Sequence, residues 1–170
     1  MTSRLSFAHP DRRRAILAAA LLLAASAAAL RAEAKGTATY KGTRAATVTF
    51  THAYLVRQPE LGGDQTIRRL VLSSEDVGAA LKACKTRICT DGGIGDGMTV
   101  DLGSGPRLDY WFVANDQRIQ YSGTASAASA TLTTDSPARL AGTLKFDASA
   151  AGGPVVDVTF DASLVLELSK

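Results

Sequence analysis

Two-residue alternation of apolar and polar side chains, carried by Val, Thr and aromatic residues, is the feature that most constrains this chain. Successive side chains of a β-strand point to opposite faces, so a period of two marks half-buried strands. The pattern recurs at 36–41, 45–57, 65–73, 98–103, 107–114, 117–122, 128–134, 139–147 and 154–168. Turn-forming residues separate these runs: Gly62-Gly63-Asp64, Gly103-Ser104-Gly105-Pro106, Asn115-Asp116, Ser136-Pro137 and Gly152-Gly153-Pro154. Strands and helices do not alternate regularly, as a parallel sheet would require. The expectation is an all-β fold, a single antiparallel β-barrel or β-sandwich of about eight to nine strands with one short helix.

That helix belongs after Ser73 and Ser74, which can cap its first turn, with Glu75 and Asp76 at the positive end of its dipole. Val77, Ala80, Leu81 and Cys84 recur at helical spacing and form one apolar stripe. Read with a two-residue turn at Asn115-Asp116, the 107–122 hairpin places Phe112 opposite Ile119 and Tyr110 opposite Tyr121. Leu108, Tyr110, Phe112, Ile119 and Tyr121 then share a core face. Asp109, Trp111, Val113, Arg118, Gln120 and Ser122 share the other. Gly36-Thr37-Ala38-Thr39-Tyr40 also echoes Gly142-Thr143-Leu144-Lys145-Phe146, and each is followed by Val-Thr-Phe, at Val48-Thr49-Phe50 and Val158-Thr159-Phe160. Two hairpins of one design account for the echo.

Residues 1–34 read as a signal peptide. A basic segment ends in Arg12-Arg13-Arg14, an uncharged Ala- and Leu-rich run fills 15–30, and Ala32-Glu33-Ala34 supplies a small-x-small cleavage site. The uncharged run is shorter than the roughly 20 residues of a membrane span. No stable membrane insertion is therefore expected after cleavage, which leaves 35–170 as a single β-rich domain. Arg13-Arg14 ahead of Ala15-Ile16-Leu17 also fits twin-arginine export, and the general secretory route stays open beside it. Delivery to a bacterial periplasm, or secretion, follows from either. Of 19 basic and 16 acidic residues, five and two lie in 1–34, leaving 14 of each in the remainder. The basic balance thus belongs to the leader, and no nucleic-acid partner is expected. An outer-membrane barrel would need aromatic girdles that a 6% aromatic content does not supply.

Cys84 and Cys89 are the only cysteines. In an oxidising compartment they read as a disulfide, tying a helix end to the turn beyond it and contributing under about 3 kcal/mol. Redox chemistry would prefer a helix N-terminus, where the dipole lowers a thiol pKa.

No motif demands a metal or a cofactor. His52 is the one histidine after residue 34, and it alternates with Val48, Phe50, Tyr54 and Val56, as a core or rim residue would. No nucleophile elbow accompanies it, and Ser104 sits in a turn composition. Asp91-Gly92-Gly93-Ile94-Gly95-Asp96-Gly97 resembles a calcium-binding repeat but occurs once and reads as a turn. Calcium binding by Asp91 and Asp96 is the alternative. Trp111 is the only tryptophan. Its ring can stack on a sugar or apolar ligand, with Asp109, Arg118 and Gln120 supplying hydrogen bonds and Tyr110 beside it.

Thr51-His52-Ala53-Tyr54, Arg69-Leu70-Val71-Leu72-Ser73 and Gly142-Thr143-Leu144-Lys145-Phe146-Asp147 give the chain the look of a loose class of exported bacterial all-β proteins. In architecture it is similar to small periplasmic lysozyme inhibitors and lipocalin-like carriers. The resemblance implies a scaffold and no particular functional residue. The function expected is a non-enzymatic exported binding domain for a small apolar or saccharide ligand or an envelope protein. The alternatives are a small periplasmic hydrolase using His52 or paired carboxylates, and an interaction or inhibitor subunit docking through an edge strand.

Overall fold

The strands follow the alternation in outline, but they number ten where about eight to nine were expected, the first begins at Ala32 and not at 36, and the run expected at 117–122 lies at 119–126. A computed structural model describes residues 32–60 and 65–169. The expected leader lies outside these residues except for Ala32–Ala34, and the Gly62-Gly63-Asp64 turn lies outside them as well. The strands are β1 (Ala32–Tyr40), β2 (Ala46–Phe50), β3 (His52–Pro59), β4 (Thr66–Ser73), β5 (Gly97–Leu102), β6 (Arg107–Ala114), β7 (Ile119–Ser126), β8 (Ala130–Ser136), β9 (Arg139–Asp147) and β10 (Val155–Glu167). The run expected as one strand over 45–57 is broken at Thr51. There the backbone leaves β2 and bonds instead to Ala34 and Ser73.

All ten strands join one sheet, in the order β2-β1-β10-β3-β4-β5-β6-β7, with β9 on β10 and β8 on β9. β10 organises it. Its first half runs between β9 and β1, antiparallel to both. Its second half, from Ser163, runs parallel to β3. β1 is therefore a wedge between two long strands that zip together beyond its end.

The sheet is an open, curled half-barrel and not the closed barrel or sandwich expected from strand count. Closure would need β8 to turn back along β7. The connection is instead a single 3-10 turn, Ala127–Ser129, held by Ala127 N–H donating to Pro106 O (2.9 Å), and it carries the chain onward without a hairpin reversal. β2, β7 and β8 each pair on one side only among the described residues.

The concave face holds the larger core. Phe50, Leu55, Leu70, Leu72, Met98, Phe112, Leu144 and Phe160 are buried there. β3 and β4 are buried on their other face too, as the near-continuous run Leu70-Val71-Leu72 requires. Tyr54, Val56, Val71 and Val113 pack there against Val77, Leu81 and Ile94 of a helical lobe.

The lobe has two short helices where one was expected: α1 (Gly78–Ala83) and α2 (Arg87–Gly92). α1 starts later than Ser73 and Ser74 would place it. Ser73 closes β4 and donates its hydroxyl to Ile94 O, while Asp76 Oδ1 accepts from Gly78 N–H (2.9 Å). Val77, Leu81 and Cys84 form the buried stripe, and Ala80 is exposed. The Cys84–Cys89 disulfide is formed and joins the end of α1 to α2.

The β6–β7 hairpin shifts by two residues from the expected register. Ala114 faces Ile119, Phe112 faces Tyr121 and Tyr110 faces Gly123. The connection is Asn115–Arg118, with positive φ at Asn115, Asp116 and Gln117. Asp116 N–H donates to Asp96 Oδ1 (3.0 Å), which ties this longer loop to the 91–97 turn. A slip of two preserves parity, so the two faces remain as read from the sequence.

Candidate functional site

The candidate site lies on the convex face, where α2 crosses β4, β5 and β6. Side chains in phase with Val71 on β4 and with Val113 on β6 point to this face. Arg69, Thr99, Asp101, Asp109 and Trp111 are among them. Thr99 stands directly opposite Trp111 across the β5–β6 ladder, and Asp101 directly opposite Asp109. The four side chains make a compact square, with neighbours about 5 Å apart across strands and about 7 Å along them.

Arg69 is the anchor. Its side chain is 4% exposed, so its charge must be matched. Nε donates to Asp101 Oδ1 (2.6 Å) and Nη2 to Asp101 Oδ2 (2.8 Å), a bidentate fork. Nη1 pairs with Asp91 and lies 3.2 Å from Thr90 Oγ1. Burial alone pulls the guanidinium pKa down, but the two carboxylates outweigh it and hold it above its ordinary value. Arg87 adds a second guanidinium at Asp101 Oδ2 (3.2 Å).

α2 is oriented against the usual preference. Ile88 is 81% exposed, while Thr90 is fully buried. The reason is the surface beneath it: Gln58, Arg69 and Asp101 present polar groups that Thr90, Asp91 and Arg87 satisfy. Thr90 donates to Arg87 O (2.7 Å) and lies 3.2 Å from Gln58 Oε1. Gln58 Nε2 is buried without a hydrogen-bond partner among the described residues.

Beside this network is a groove of about 350 Å³ lined by Arg69, Arg87, Asp91, Thr99, Asp101, Asp109 and Trp111. A second depression shares Arg87, Asp101 and Asp109 and continues toward Ser104 and Arg107. Trp111 is half-buried, one side packed on the second core. Asp109 is exposed and has no ion-pair partner among the described residues.

Of the residues expected at a ligand site, Asp109, Tyr110 and Trp111 all line the groove. Tyr110 borders the groove along β6, but its ring points to the concave core, 4.8 Å from Phe146. Burial pushes its hydroxyl up to about 12. Arg118 lies in the hairpin connection, and Gln120 donates to Gln117 O (3.1 Å) at the same end. Neither lines the groove. His52 also lies outside it. Its ring stacks nearly parallel to Tyr54 at 6.3 Å, and Nδ1 lies 2.8 Å from Thr51 Oγ1.

Asp91 and Asp96 do not converge. Asp91 is held by Arg69, and Asp96 accepts from the Asp116 amide. No group of three or more potential metal ligands occurs among the described residues. No helix among them is long and apolar enough to cross a membrane.

Sequence reasoning missed Arg69, Arg87, Thr90, Thr99 and Asp101. The available signal was phase: Arg69 falls in step with Val71 and Ser73 in a strand whose two faces are both apolar, so a partnered charge had to be buried there. No protein-family model, no curated protein and no solved structure matches this chain.

Proposed function

We propose that the protein is an exported, non-enzymatic binding domain that holds a small saccharide in the convex groove, against the face of Trp111. The observation that carries this reading is the position of Trp111. It is half-buried on a rigid strand, next to an exposed carboxylate and a pinned ion network, so its ring is both accessible and fixed. A fixed aromatic face flanked by hydrogen-bonding groups suits a sugar ring, which presents apolar C–H bonds on one side and hydroxyls at its edge. Two of the three aspartates already bind guanidinium groups, which favours holding a ligand over proton transfer. The signal-peptide pattern expected in residues 1–34 supports a place for such a domain in the periplasm or outside the cell.

Because Trp111 is the only tryptophan, its emission reports on the groove alone. Titration with N-acetylchitotetraose and with the corresponding deacetylated glucosamine tetramer is expected to give a saturable emission change with at least one. Trp111→Ala, followed by calorimetry, is expected to lose that binding while its circular dichroism stays unchanged. Absence of both emission change and heat with both tetramers overturns the reading.

A further inference from the structure

We infer that the ligand carries a protonated amine, seated between Asp109 and the face of Trp111. This rests on the saccharide reading above and specifies the chemical class.

Asp101 and Asp109 are cross-strand neighbours on one face, an arrangement that repels unless each charge is matched. Asp101 is matched twice, by Arg69 and Arg87. Asp91 is matched by Arg69. Asp109 makes no ion pair or hydrogen bond through its side chain among the described residues, Arg107 on the same face of β6 lining the neighbouring depression without reaching it. The groove therefore holds two guanidiniums and three carboxylates, and the uncompensated charge sits on its exposed rim. An anionic ligand would meet that charge first, while the hydrogens of buried Arg69 are already directed at Asp101 and Asp91.

A second, independent observation is Thr99. It is 3% exposed, lines the groove opposite Trp111, and its hydroxyl has no hydrogen-bond partner among the described residues. The residue is buried apart from its contact with the groove, so its hydroxyl keeps its hydrogen-bonding capacity for whatever enters. Thr99 thus offers an acceptor and a donor at the floor, Asp109 an anion at the rim, and Trp111 a π face between them. A π face and a carboxylate together favour an ammonium group over a neutral hydroxyl. Thr99 then serves a hydroxyl of the same sugar.

The test compares two tetramers that differ only in acetylation, by calorimetry in a mildly acidic, low-salt buffer that keeps glucosamine amines charged. The glucosamine tetramer is expected to bind about ten-fold tighter than N-acetylchitotetraose, as one charge-assisted hydrogen bond would give. Added salt is expected to erode the difference. Asp109→Asn is expected to bring the two affinities together, and Thr99→Val to weaken both without changing their ratio. Equal binding of the two by the unaltered protein, tighter binding of the acetylated form, or an undiminished preference in Asp109→Asn overturns the inference and leaves the saccharide reading standing. Failure of both tetramers overturns both.

Discussion

Arg69 holds Asp101 through two parallel hydrogen bonds, 2.6 and 2.8 Å, at a position where the guanidinium is almost sealed from solvent. The pair spans β4 and β5 and supports the floor of the groove. Its contribution is better judged by what its loss would leave behind than by its Coulombic attraction. Arg69→Met removes the cation, leaving Asp101, 14% exposed, with Arg87 alone beside Asp109 and taking from Asp91 its one ion-pair partner among the described residues. Breaking a buried pair from one side costs about 3–5 kcal/mol. Urea unfolding is expected to show a loss of that size. Arg69→Met combined with Asp101→Leu is expected to recover much of it, since the two most buried charges are replaced by an apolar pair and the charges left over, Asp91 and Arg87, are partly exposed to water.

The disulfide acts on the same network from the other side. α2 is six residues long, too short to hold its shape alone, and it carries Arg87, Thr90 and Asp91. Cys84–Cys89 fastens it to α1, whose Leu81 is buried in the second core. Replacing both cysteines by serine is expected to cost under about 3 kcal/mol in stability. It is also expected to loosen α2, so that Asp91 leaves Arg69. Amide hydrogen exchange should then rise over 85–93 and remain low in β4 and β5. Uniformly raised exchange across the sheet would show that the disulfide serves the whole fold instead.

Two tyrosines predict the alkaline limit. Tyr54 is pushed up to about 12, first by burial and then by its 2.6 Å hydrogen bond to Asp76. Tyr110 is pushed up to about 12, first by burial and then by Tyr121. Below pH 10 both are protonated in the folded and unfolded chains, and their contribution is complete. Above pH 10 the unfolded chain releases these protons while the folded one keeps them, so stability falls toward pH 12. The expected signature is a urea midpoint that drops over this window, with a smaller drop in Tyr110→Phe. Tyrosinate absorbance is expected to show Tyr54 and Tyr110 ionising late, and Tyr110→Phe to remove one of these late steps.

β1 bears on where the expected signal peptide would be cleaved. Ala32 pairs with Ala162 and Ala34 with Phe160, and Ala34 N–H donates to Thr51 O (3.1 Å) at the bend between β2 and β3. Cleavage after Ala34 would strip three residues from the wedge strand. Small-x-small pairs also stand upstream, at Ala25-Ser26-Ala27 and Ala27-Ala28-Ala29. Processing of the expected signal peptide is therefore predicted to leave a chain beginning at Ala28 or Leu30, ahead of β1. Its intact mass decides, and a mass beginning at Lys35 would refute this.

Why was so much of the sheet legible in the sequence and so little of the site? A strand with one covered face writes its burial as a period of two, as β2 and β8 do, whereas β3 and β4, covered on both faces, show near-continuous apolar runs. Even the misjudged hairpin kept its faces, because the error was two residues. The site depends on pairings that no local pattern encodes. Arg69, Asp91 and Asp101 come from β4, α2 and β5, and only the covered outer face of β4 brings them together. α2 was illegible for a related reason: its six residues complete fewer than two turns, and its buried member is Thr90 where the periodicity rule looks for Ile88. Trp111 and Asp109 were found because they share a strand. Closure of the sheet was misjudged because strand count does not fix whether β7 and β8 meet.

The Gly36 and Gly142 echo turns out to record one hairpin register used twice. Gly36 pairs with Phe50 and Ala38 with Val48, while Gly142 pairs with Phe160 and Leu144 with Val158. Both glycines have φ that side chains rarely adopt, 149° and 158°. A Cβ on Gly36 would lie 2.1 Å from Asp157 O, and one on Gly142 2.1 Å from Thr131 O. In each case the obstacle is the backbone of the neighbouring strand, which cannot swing aside as a side-chain tip could. Gly36→Ala and Gly142→Ala are thus each expected to destabilise by at least the roughly 1–3 kcal/mol of a strained backbone, with steric displacement added. Gly92→Ala is the matched control, because nothing lies within 4 Å of its added Cβ and it sits in α2. It is expected to be neutral, or stabilising by up to about 1 kcal/mol through the unfolded chain. The two strand glycines should behave alike if they are the same device. A large loss at Gly36 with none at Gly142 would mean that β8, an edge strand, simply moves away from β9, and that the register is enforced only where β1 is wedged between two partners.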